Sequence, residues 1–248
     1  MSGARGAARS AATPSIEARL AALDWEAIER DLWERGYAET APVLTPEECD
    51  AMVALFDDEQ RFRSTVNMAR HRFGMGEYRY LAYPLPDVVA ALREHAYPRL
   101  AAVANRWADA LGSPERFPPT LEAFLARCAE HGQTRPTPLV LRYEEGGYNC
   151  LHQDLYGDVA FPFQLLTFLR RPGVDYDGGE FVLVEQRPRA QSAVDVVPGA
   201  QGALVFFSTR VRPARGARGF YRVNVRHGVS RVRRGLRYTM GVIFHDAR

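Results

Sequence analysis

Apolar residues recur at helical spacing from Ile16 to about Arg35, with Leu20, Leu23, Ile28 and Leu32 among them, and Gly36 closes the run. Residues 37–44 then read as a strand. Thr45-Pro46-Glu47-Glu48 carries three helix-start signals: a hydroxyl at the N-cap, a proline where no amide hydrogen is needed, and a glutamate placed to complete a capping box. That helix is predicted to run to about Phe56. Residues 61–83, broken by Gly74 and Gly76, read as two strands. Pro84 to Pro86 make a turn, and helices are predicted over 87–111, with a bend at Pro98, and over 120–129.

Beyond Pro138 the texture changes. Short β-rich runs at 139–143, 161–169, 180–185, 203–208, 221–227 and 238–244 alternate with turn residues such as Pro172-Gly173, Gly178-Gly179, Pro198-Gly199 and Gly235. Even spacing of short strands predicts a sandwich or barrel. The expectation is an α+β chain with one domain over 15–248, helical support over 15–137 and a β-core mainly over 138–248. Residues 1–14, rich in Ala, Arg and Ser, read as a disordered tail.

Composition changes this picture in three ways. The net charge of +2 advertises no global field for nucleic acid. All 32 basic residues are Arg, so every cationic side-chain contact must be made by a guanidinium. The three cysteines, Cys49, Cys128 and Cys150, are too few for a disulfide framework and fit a reducing cytoplasm, with Cys150 read as a packing residue. The N-terminus lacks the apolar run of a signal peptide, and no stretch reaches membrane-spanning length.

The candidate chemistry begins at His152-Gln153-Asp154. Alternate residues of an extended segment point the same way, so His152 and Asp154 can reach one ion together. His227, from a distant strand, would complete two imidazoles and one carboxylate. That set leaves three coordination positions open, the facial triad of non-haem Fe(II) oxygenases. A 2-oxo acid fills two positions and O2 the third. His-x-Asp also recurs by chance, most histidines are structural, and zinc accepts the same ligands. Arg237, after a turn at Gly235, narrows the choice. If His227 ends one strand and Arg237 begins the next, antiparallel one, its guanidinium points into the same cavity. A bidentate Arg suits the distal carboxylate of a dicarboxylic 2-oxo acid, and Thr239 adds a hydroxyl on the same side. The competing reading is a surface arginine, since Arg210 to Arg237 is Arg-rich throughout.

Together, His152-x-Asp154, His227-Gly228-Val229 and Gly235-x-Arg237-x-Thr239 resemble the 2-oxoglutarate/Fe(II) dioxygenase superfamily, near its prolyl-hydroxylase-like branch. Arg142-Tyr143, Asp177-Gly178-Gly179-Glu180-Phe181 and the stretch from Pro198 to Phe207 support the likeness. It implies a double-stranded β-helix (jelly roll) braced by helices. It also implies Fe(II) held by His152, Asp154 and His227, with 2-oxoglutarate and O2 as cosubstrates. Arg237 would bind the 2-oxoglutarate 5-carboxylate, with Thr239 and Tyr143 beside it; Tyr143 reads equally as a core aromatic. Phrases such as Ala82-Tyr83-Pro84-Leu85-Pro86, Gln133-Thr134-Arg135-Pro136-Thr137-Pro138, 149–157 and Ile243-Phe244-His245-Asp246 extend the resemblance to a bacterial set of such oxygenases provisionally linked to damaged nucleic acid.

The implied enzyme is a dioxygenase with succinate and CO2 as coproducts. The motifs slightly favour a prolyl or other aliphatic carbon, and oxidative dealkylation of damaged nucleic acid is the alternative. The substrate class is thus a protein, an amino acid or a nucleic acid, with no membrane partner, and the sequence assigns no oligomeric state. Arg210 to Arg234 either tracks phosphates or forms a solvated loop with strands. Arg70, His71, Arg72 and the aromatics at 78–83 lie upstream of the β-core, where they stack on a base or simply pack. A non-catalytic metal- or nucleic-acid-binding β-helix is the reading from another class. His245 and Asp246 are adjacent, so in a strand they face opposite ways and are not counted as ligands. His95 and His131 read as structural or exposed.

Overall fold

The computed structural model describes residues 13–154 and 157–248. Residues 1–12, which hold most of the expected tail, lie outside the described residues, as do Leu155 and Tyr156 of the 149–157 phrase. The helix expected over 16–35 is two helices, α1 (Ile16–Ala21) and α2 (Trp25–Arg35). Asp24 accepts a hydrogen bond from the Ala27 amide and caps α2. An N-cap residue needs non-helical backbone, so the capping residue itself breaks the run. Gly36, at φ 81°, closes α2 in the left-handed conformation.

β1 (Tyr37–Pro42) leads to α3 (Pro46–Ala54), where the capping box of Thr45 and Glu48 is complete. The 61–83 region forms β2 (Phe62–Asn67), a one-turn helix α4 (Met68–His71), β3 (Gly74–Met75) and β4 (Glu77–Leu81), more than the two strands expected. α5 (Asp87–Ala110) continues as helix through Pro98, and α6 (Leu121–Glu130) is capped by Thr120.

Strands then follow in series: β5 (Leu139–Tyr143), β6 (Tyr148–His152), β7 (Phe163–Phe168), β8 (Tyr176–Gly178), β9 (Phe181–Gln186) and β10 (Ala193–Val197). They continue as β11 (Ala203–Ser208), β12 (Val211–Gly216), β13 (Gly219–Val229), β14 (Val232–Gly235) and β15 (Arg237–Ile243). β6, β8, β10, β12 and β14 are additions to the sequence reading. They are short, polar or proline-bearing, and pairing with a neighbour rather than an apolar pattern makes them strands.

Two antiparallel sheets form the core. One has seven strands in the order β1-β11-β7-β15-β5-β4-β2; the other runs β10-β9-β13-β6-β3, with β12 on β13. The helices cover the outer face of the seven-stranded sheet. Leu20, Leu32, Leu92, Leu100 and Trp107 pack there against Phe163, Leu165, Phe206, Met240 and Val242. On the inner face, Leu166, Phe168, Val205 and Phe207 meet Phe181, Leu183 and Val225 of the second sheet. Consequently β7, β11 and β15 are buried at every position, and none of them alternates apolar with exposed polar residues; the polar Gln164, Thr167, Arg237 and Thr239 they carry are buried as well. This is the double-stranded β-helix, with helices supporting its larger sheet. Among the described residues no helix is long and apolar enough to cross a membrane.

Candidate active site

A cavity of about 430 Å³ lies between the two sheets. His152, the last residue of β6, sits directly opposite His227 of β13, and this pairing brings their ring centroids to 4.2 Å. Asp154 follows two residues later. Its Oδ1 lies 3.6 Å from His152 Nε2 and its Oδ2 3.3 Å from His227 Nε2. One potential ligand atom from each of the three falls within 4.8 Å of the others.

Neighbouring groups prepare these atoms. His152 Nδ1 lies 2.7 Å from the Cys150 carbonyl, which can only accept, so Nδ1 carries the proton and Nε2 presents its lone pair towards Asp154. Burial lowers the His152 pKa, and the adjacent His227 lowers it further. Burial by itself would raise the Asp154 carboxyl. His227 and His152 outweigh that effect, helped by a 2.8 Å hydrogen bond from Gln164 Nε2, and hold the carboxyl below its ordinary value. A neutral imidazole and an ionised carboxylate are the states that bind a cation.

Arg237 opens β15 and pairs in register with Tyr143 of β5. It is fully buried and makes no ion pair among the described residues. Its Nη1 donates to Thr239 Oγ1 at 3.2 Å, while Nε and Nη2 make no hydrogen bond among the described residues. The rings of Tyr143, Phe168 and Tyr176 surround the guanidinium at 5.3, 5.9 and 6.0 Å. Burial pushes the Tyr143 hydroxyl up to about 12 despite the nearby Arg237 charge. Thr239 and Tyr143 line the cavity, whereas Arg237 lies just behind them.

Two expectations need correction. The strands of His227 and Arg237 do not pair. β13 and β15 belong to different sheets, and β14 pairs with β8 between them. Gly235, at φ 83°, turns the chain where a Cβ would lie 2.2 Å from the Asp175 carbonyl. His227 and Arg237 therefore stand on facing sheets, with His227 lining the cavity and Arg237 in contact with Thr239 and Tyr143 of the other wall. Cys150 is exposed rather than packed, because β6 borders only the two-residue β3 on that side. The adjacent His245 and Asp246, by contrast, are both buried and do not belong to this cluster, and Asp246 pairs with Arg93 at 2.7 Å. His95 is half-buried within α5 and His131 is exposed at the end of α6.

Gln164 escaped the sequence reading. Its one signal is a lone amide in the apolar run of β7, which implies a buried partner. Asn149 also lines the cavity and escaped it as a site residue, whereas Tyr78 and Tyr80, of the aromatics expected either to stack on a base or to pack, line the cavity.

Comparison with known proteins agrees with this geometry. The fold matches a Pseudomonas putida prolyl-4-hydroxylase with a TM-score of 0.55 at 16% identity, over 90% of this chain and 99% of that one. It matches a Trichoplax adhaerens prolyl hydroxylase, solved with a hypoxia inducible factor peptide, with a TM-score of 0.53 at 15% identity over 93% and 92% of the two chains. At these identities the likeness is one of fold alone. In sequence, the uncharacterized protein Rv2227 of Mycobacterium tuberculosis is 48% identical over 164 residues, 66% of this chain and 70% of that protein. Residues 76–247 match the family model Oxygenase-NA, described as an oxygenase catalysing oxidative methylation of damaged DNA. With the jelly roll, the His–Asp–His cluster and this match over most of its length, the chain belongs to the Oxygenase-NA family of oxygenases.

Proposed function

We propose that the protein is an Fe(II)- and 2-oxoglutarate-dependent dioxygenase that hydroxylates an alkyl carbon on damaged nucleic acid. His152, Asp154 and His227 hold the iron, and Arg237, with Thr239 and Tyr143, receives the distal carboxylate of 2-oxoglutarate. The observation that carries the cosubstrate part of this reading is the buried guanidinium of Arg237, two of whose nitrogens find no hydrogen-bond partner among the described residues. An unpaired charge in such surroundings costs several kcal/mol, roughly, and a dicarboxylic acid supplies the missing acceptor. The donor set fits iron: two imidazoles and one carboxylate on one side of a cavity, with room opposite.

Bound iron with a 2-oxo acid and O2 supplies the oxidant for a C–H bond and yields succinate and CO2. The chain's own residues do the rest. Gln164 holds the Asp154 carboxylate, and the Cys150 carbonyl fixes the His152 tautomer. Phe181 and Phe207 pack against the His227 ring at 5.9 and 4.9 Å and exclude water there. Hydroxylation of an N-methyl carbon gives a carbinolamine, which releases formaldehyde and restores the N–H. Oxygen insertion therefore removes a methyl group, so the chemistry is oxidative dealkylation. The family description supports this substrate over the prolyl carbon that the motifs favour. We place the enzyme in the cytoplasm, a reading supported by three unpaired cysteines, and treat 15–248 as one catalytic domain.

Anaerobic addition of Fe(II) and 2-oxoglutarate tests the cofactor reading. A visible charge-transfer band is expected in the parent protein and absent in His152→Ala and Asp154→Ala. A folded, metal-loaded parent with no band overturns it. Succinate released with a methylated oligonucleotide, against a proline peptide, tests the substrate.

A further inference from the structure

We propose that α4 and the residues leading into β3 form a substrate-reading lip, in which His71 and Phe73 stack on a nucleobase and Arg70 and Arg72 contact its flanking phosphates. This rests on the nucleic-acid reading above and assigns it to particular side chains.

The lip is fixed to the candidate metal centre. β3 pairs with β6 through Gly74 and Asn149, and the Phe73 carbonyl accepts from the Cys150 amide at 2.8 Å, two residues before His152. Gly74 has φ 144°, and a Cβ there would lie 2.2 Å from the Tyr148 carbonyl, so close approach of the two strands holds the lip in place. Arg72 and Phe73 both line the cavity.

Its chemistry suits a planar, anionic ligand. Phe73 is 48% exposed, large for an aromatic ring, and stacks on His71 with centroids 5.4 Å apart and planes at 21°. Tyr78 and Tyr80 form an edge-to-face pair on the opposite sheet and line the same cavity. An apolar slot with aromatics on both walls accepts a flat ring. Arg72 holds φ 58°, a left-handed conformation that costs a non-glycine residue energy and that clusters at functional sites. Neither Arg70 nor Arg72 makes an ion pair among the described residues, and no acidic residue occurs from Met68 to Gly76. An acidic partner is what the Arg72 guanidinium at the aromatic slot, with Arg70 two residues before it, would recruit.

The test uses the full chain and a fluorescein-labelled single-stranded DNA of about 12 nucleotides carrying one N-methylated base. Anisotropy is measured across a salt series without iron, so binding is read apart from turnover. Arg70→Ala and Arg72→Gln should each weaken binding and flatten the log–log salt slope by about 0.7. Phe73→Ala should weaken binding about 5-fold or more at every salt concentration and leave the slope unchanged. Arg99→Ala, on α5 behind the larger sheet, should behave as the parent. Far-UV circular dichroism checks folding, and Phe73 is exposed enough for the variant to fold. The lip assignment is overturned if the parent shows no salt dependence, or if Arg99→Ala loses as much as the two lip arginines. It is equally overturned if a proline-rich peptide displaces the DNA and shows the Phe73 dependence without a salt slope, which makes the lip a peptide site. The charge-transfer band, recorded on the same preparations, separates failure of the lip from failure of the cofactor reading.

Discussion

Replacing Arg237 with Met removes a charge and keeps most of the volume. The guanidinium is fully buried, and among the described residues it has no ion-pair partner and its Nε and Nη2 make no hydrogen bond. Exchanging such a cation for an apolar side chain is expected to leave the ligand-free protein equally stable or to stabilise it by about 1–4 kcal/mol. Each kcal/mol moves the melting temperature of a chain this size by about 2–4 °C. The cosubstrate responds in the opposite sense. At 2-oxoglutarate equal to about 100 times its Kd, binding stabilises the parent by about 2.7 kcal/mol, or about 5–11 °C. Loss of the buried charge pair costs about 3–5 kcal/mol of binding, which raises Kd roughly 150- to 5000-fold. At the same concentration the variant should gain less than about 0.3 kcal/mol, about 1 °C. The assay is thermal unfolding of Mn(II)-loaded protein with and without 2-oxoglutarate, Mn(II) preventing turnover. A ligand-induced shift in Arg237→Met equal to that of the parent refutes the carboxylate role. A large fall in the ligand-free melting temperature refutes the claim that the cation is unsatisfied.

Two further outcomes follow from the surroundings of the cluster. Gln164→Leu removes the hydrogen bond to Asp154 Oδ2 and should weaken metal affinity about 10- to 100-fold, measured by competition with a chelating dye. Burial, with the Arg93 charge adding to it, lowers the His245 pKa to about 4, and its Nδ1 accepts from the Phe161 amide at 3.2 Å. The folded pKa is depressed, so the stability it contributes is present above about 6.5 and is lost as pH falls towards 4. Urea unfolding should show about 2 kcal/mol lost between pH 7 and pH 5 from this group, and His245→Asn, which keeps an acceptor, should abolish that part. An unchanged pH dependence in the variant counts against the assignment.

Local chemistry was readable directly from the chain. The capping box at Thr45 and Glu48 and the glycine stop at Gly36 act within a few residues, so their types suffice to place helix ends. His152 and Asp154 were legible as a pair because alternation along an extended backbone is local as well. The break at Asp24 was missed, although the residue is a good N-cap, because apolar spacing on both sides continued in phase. The buried strands β7, β11 and β15 showed strand character without facing, since both of their sides are covered.

The sequence by itself determined the donor set, two imidazoles and a carboxylate, and the presence of an arginine ten residues beyond the last of them. Only the tertiary structure decided that His227 and Arg237 stand on facing sheets and that Gln164 reaches Asp154. The same holds for Cys150 at the rim and for the orphaned nitrogens of Arg237. The physical reason is that strand register and sheet membership arise from hydrogen bonds between segments far apart in the chain. A one-residue slip in any of them turns every side chain to the opposite face. Burial without a partner is likewise a property of everything packed around a group, and no window of sequence contains it.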